Sequence, residues 1–118
     1  MSDRVDFVVL TPGGELVYGL RARGQSMRSA ISAHIPPEVM TTIAPERNPR
    51  IRLWFPDQRF PAEQANGLAD TVMTHLGYHH PSGWAGPVAI SMAPRLGLPW
   101  WPPLQADVLD ALQKGTDH

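Results

Sequence analysis

Thirteen prolines and ten glycines in 118 residues constrain this chain more than any other feature. Proline removes a backbone donor and glycine loosens the backbone, so elements here must be short, with firm ends. The length suits one core, and residues 1–118 read as a single domain. Hydrophobic residues at 42% and charged residues at 18% place it in the globular range, not the disordered one.

The segments between breaks have legible periods. "VDFVVLTPGGELVYGL" has hairpin form: an apolar strand from Val5 to Leu10, turn residues Thr11 to Gly14, and a second strand from Glu15 to Leu20. Ser26 suits a helix N-cap, with Met27, Ala30, Ile31 and His34 following at helical spacing until Pro36-Pro37. "EVMTTIAPERNPR" holds a short strand. Arg50 to Phe55 alternates, with Ile51, Leu53 and Phe55 on a buried face and Arg50, Arg52 and Trp54 facing outward. A helix with Leu68, Val72 and Leu76 on its buried stripe follows, capped by Asn66 or starting after Pro61, and ended by Gly77. Pro87 to Met92 reads as a strand, 93–103 as a proline-rich connection, and Leu104 to Lys114 as a last helix ending at Gly115. The expected fold is α+β: a small, mostly antiparallel sheet, N-terminal hairpin plus central strands, with two to three helices packed largely on one face.

Composition excludes several function classes. A net charge of −1 argues against a duplex-DNA binder, which needs a basic excess. Without cysteine there is no disulfide, thiolate nucleophile or sulfur-ligated metal. Apolar runs such as Phe7 to Leu10 are too short to cross a bilayer, and Met1 to Arg4 does not begin like a signal peptide. A cytoplasmic protein with no membrane partner is the expectation.

"LGYHHPSGWAGPVAIS", Leu76 to Ser91, is where chemistry would be sought. His75 and His79 have the i, i+4 spacing of a helical metal pair, but Gly77 between them ends the helix, and the adjacent His79 and His80 diverge. Nothing orients these histidines or Asp57 for proton transfer, and Thr11 to Glu15 lacks the spacing of a phosphate loop. We therefore expect no catalytic residue, no metal and no cofactor. A histidine- or metal-dependent hydrolase is the least favoured reading. The stretch reads instead as a helix end, a loop and a strand approach, Gly83 and Gly86 letting the backbone pass around Trp84.

Tryptophan and arginine dominate interface hot spots. "LPWWPP" sets Trp100 and Trp101 in a stiff proline frame; these rings and Trp84 either seal the core edge or, with Trp54 and Arg52, form a surface for a protein partner. The alternative is a small anionic ligand, a nucleotide signal, held by Arg50, Arg52, Arg59, His79 and His80. A small sheet also leaves an edge strand open, and a homodimer is one remedy.

The order of motifs resembles a family known as domain of unknown function 3846. The resemblance covers most of the chain: "FVVLTPGGELVYGL" is similar to its N-terminal hairpin, "MRSAISAHI" to its first helix, "IRLWFPD" to a strand ending in an acidic turn. "EQANGLADTVM" matches its asparagine and alanine at Asn66 and Ala69, "YHHPSGWAGPVAIS" its aromatic loop and Gly-Pro-Val strand, and "PLQADVLDALQ" its C-terminal helix. The chain departs from the pattern at Gln58-Arg59, where a glycine is usual, and at Gln64, where a proline is. The family brings no activity or site residues. It implies the company of phages, plasmids and actinobacterial genomes, where small proteins often bind, some as antagonists of host defence.

Overall fold

The computed structural model describes residues 4–44, 50–56, 65–76, 83–93 and 102–116. β1 (Phe7–Leu10) and β2 (Leu16–Gly19) form the expected hairpin. Its three-residue loop is closed by Gly14 N–H on the Thr11 carbonyl (3.0 Å) and Thr11 N–H on the Glu15 carbonyl (3.0 Å). α1 (Met27–Ile31) starts at Ser26, whose hydroxyl accepts from Ser29 N–H at 3.1 Å. A 3-10 turn (Pro37–Val39) leads to β3 (Met40–Ile43), and β4 (Ile51–Pro56) pairs back on it. α2 (Gly67–His75), β5 (Val88–Met92) and α3 (Ala106–Thr116) complete the described elements. α3 starts later than the sequence suggests: Leu104 precedes it as a buried plug whose N–H reaches the Val5 carbonyl at 2.8 Å. It also ends one residue past Gly115.

The sheet order is β2-β1-β5-β4-β3, antiparallel at every step. β5, the last strand made, lies between the two hairpins and joins them. Every residue of β1 and of β5 is buried. Their apolar runs, broken only at Ser91, follow from this, because a strand covered on both faces has no solvent side to make polar.

α2 and α3 lie on one face, over Val8, Leu10, Ile51, Leu53, Val88, Ile90 and Met92. The short α1 covers the other face, where Met27, Ala30, Ile31 and Ile35 pack on Phe7, Val9, Met40, Trp54 and Ala89. The outward placement of Trp54 is corrected by this second layer. Strand alternation did separate it from Ile51, Leu53 and Phe55, but its face is a second core, and the ring is 3% exposed. Gly19 is fixed by packing on that face: a Cβ there would sit 2.1 Å from Cζ of Phe7, its cross-strand partner.

Candidate functional site

The α1 side of β3 and β4 holds two of the three buried polar side-chain atoms without a hydrogen-bond partner among the described residues. Register puts Arg52 beside Ser91, with Trp54 between Ala89 and Thr42 in the next row of the same face. The Trp54 indole N–H donates to Ser91 Oγ at 2.9 Å, and that hydroxyl donates to the Met92 carbonyl at 3.2 Å. The ring is thereby held flat in the core as a floor. Arg28, on the exposed side of α1, sets its guanidinium carbon 5.8 Å from the Trp54 ring centroid and donates from Nη1 to the Met40 carbonyl at 3.2 Å. Two buried polar atoms have no hydrogen-bond partner here, Arg52 Nε and Thr42 Oγ1. Among the described residues no carboxylate pairs with Arg28 or Arg52; the ion pairs are Arg4–Asp6 and Arg50–Asp107.

This arrangement can accept an anion. It supplies guanidinium donors, a hydroxyl and an aromatic floor, and no group set up to attack a bond. Arg28 and Thr42 escaped the sequence reading. One sits in a short helix and the other in a weak strand; the pairing of β3 with β4 brings Thr42 to Trp54, and the packing of α1 on that face brings Arg28.

The other candidate residues are dispersed. Arg50 does not join Arg52: it crosses to the start of α3, bonding Asp107 Oδ2 at 2.9 Å and Gln105 Oε1. Its hydrogen bond and charge hold the Asp107 carboxyl below its ordinary range, and Asp107 in turn raises Arg50. An anion cradle made from Arg50 and Arg52 together is thus corrected, because Arg50 sits in the turn ahead of β4 and its side chain crosses to the start of α3. Trp84 is 4% exposed in the α2–α3 core, edge-on to Phe55 with ring centroids 5.2 Å apart, so it is no exposed anchor. Gly83 and Gly86 flank it with φ of +74° and +76°, as a tight passage requires. His75 is exposed in the last turn of α2. Arg59, His79, His80, Trp100 and Trp101 lie outside the described residues. Among the described residues no three histidine, aspartate or glutamate side chains gather as a metal site, and no helix is long and apolar enough to cross a membrane.

By fold the chain belongs to the α+β class, a five-stranded antiparallel sheet with helices on both faces. No family model matches it, and neither does any curated protein or solved structure.

Proposed function

We propose that this chain is a non-enzymatic binding protein of phage or mobile-element type that acts through a protein partner, met on the α1 side of β3 and β4. The observation that supports this is the unpartnered pair Arg52 Nε and Thr42 Oγ1 beside Arg28. A buried donor left unmade costs about 1–3 kcal/mol, and a partner acceptor that displaces the groups covering it offsets that cost. Arginine's fork suits a carboxylate, so the partner presents an acidic side chain or a C-terminus. Trp54 supports the site from beneath, and Trp100 and Trp101 remain candidate contacts. The motif order that suggests mobile elements makes a host defence protein the natural target.

The test is capture from the native host with a tagged chain, followed by affinity measurement with the purified partner. Arg28→Glu with Arg52→Glu should weaken binding at least tenfold while the far-UV spectrum stays native, and Arg23→Glu, an exposed arginine ahead of α1, should leave binding unchanged. Equal affinity of the double variant would remove the reading. The same donors could instead hold the phosphate of a nucleotide signal. A rise in melting temperature with nucleotides, lost in the double variant, would favour that ligand.

A further inference from the structure

We propose that β2 is the interface through which two copies of this chain form one continuous sheet. β2 is an edge strand, and its residues Leu16 to Gly19 carry no charge and no proline, the devices that usually blunt an edge. The two exposed large hydrophobic residues among those described, Tyr18 at 48% and Leu20 at 63%, are on this edge. The other edge, β3, has no such residue: Met40 is buried and Thr41 to Ile43 are half-buried.

The hydrogen-bond phase is fixed by the hairpin. Thr11 donates to Glu15, so Val17 and Gly19 bond inward to β1, and Leu16, Tyr18 and Leu20 turn their N–H and C=O groups outward. A second copy running antiparallel with its two-fold axis at Tyr18 pairs all three. Tyr18 meets Tyr18 of the second copy, and Leu16 meets Leu20 at both ends. In that register Glu15 stands opposite Arg21 of the second copy, twice by symmetry. The edge is thus complementary to itself in charge as well as in hydrogen bonds. Arg21 Nε is buried without a partner in the single chain, although Nη1 donates to the Gln25 carbonyl at 2.7 Å. Leu16, Tyr18 and Leu20 share the α2–α3 face, so the pairing also joins their side chains into one apolar row. The arginine faces on β3 and β4 then stand at opposite ends of a ten-stranded sheet, about 40 Å apart at the usual strand spacing.

Two variants test this. Tyr18→Pro deletes an outward N–H and leaves the β1 ladder intact, since that N–H takes no part in it. Sedimentation equilibrium should give twice the chain mass for the native protein and the single-chain mass for Tyr18→Pro, with matching far-UV spectra. Tyr18→Cys puts a lone thiol on the axis of a chain with no other cysteine. Directly opposed residues lie about 5.5 Å apart at Cα, within disulfide reach, so mild oxidation should cross-link most of it, and Glu38→Cys, exposed ahead of the other edge strand, little. A native protein monomeric at all concentrations would overturn the proposal and leave the edge to a foreign strand. A dimer that survives Tyr18→Pro and does not cross-link through Tyr18→Cys would overturn it equally.

Discussion

Asn66 is wholly buried and has every donor satisfied. Nδ2 donates to the Leu10 carbonyl at 2.9 Å and the Gly86 carbonyl at 2.8 Å, Oδ1 accepts from Ala69 N–H at 2.9 Å, and its own N–H meets the Trp84 carbonyl at 2.8 Å. One side chain therefore ties the end of β1, the approach to β5 and the start of α2. Its role as a helix cap was legible, because asparagine before a helical stripe is a cap signal. The two long-range bonds were not, since they join positions 10, 66 and 86. Asn66→Asp separates these roles: it keeps the capping oxygen and turns two donors into an acceptor facing two carbonyls. We expect a loss of about 3 kcal/mol or more in urea unfolding at neutral pH. An unchanged midpoint would mean that the two carbonyls find other donors. Trp54 shows the converse limit. Its face was readable from alternation with Ile51 and Leu53, but its burial depended on α1, which one strand's pattern does not contain.

At the scale of elements, α3 is tied to the sheet by apolar burial of Val108 and Leu112 and by the exposed bridge from Arg50 to Asp107. Asp107 is lowered chiefly by its hydrogen bond from Arg50. A carboxyl lowered in the folded state stabilises it above the unfolded pKa, and that contribution is lost as pH falls through the folded value. Asp107→Asn should therefore melt lower than the native chain at pH 7, by about 2 °C or less since the pair is exposed, and the gap should close in acid as Asp107 becomes protonated in the folded chain. Arg50→Gln should give the same profile. A gap that persists in acid would assign the effect to the helix start and not to the bridge. The elements themselves were largely legible, because prolines and glycines mark their ends and Ser26 and Asn66 their starts. What the pattern also held, without stating which face it served, was the second layer. "FVVL" and "VAISM" are apolar at every position but Ser91, and Met27, Ala30 and Ile31 form a stripe that needs a surface. Together they require a sheet covered twice.

The whole molecule is two cores divided by one sheet, and β5 belongs to both. Val88, Ile90 and Met92 enter the α2–α3 side, while Ala89 lies in the α1 side and Ser91 holds Trp54 there. Neither layer can open without exposing the strand that joins the hairpins, so both should melt in one transition. The tryptophans report on each side, Trp54 from one core and Trp84 from the other. With Trp100 and Trp101 both replaced by Phe, Trp84→Phe leaves Trp54 to follow the thin layer under α1, and Trp54→Phe leaves Trp84 to follow the thicker one. For each variant, fluorescence and far-UV circular dichroism should trace superimposable urea curves. If the Trp54 signal instead falls at lower urea than the circular dichroism, the five-residue α1 and the site beside it unfold on their own. The arginine face would then exist only when the partner holds it in place.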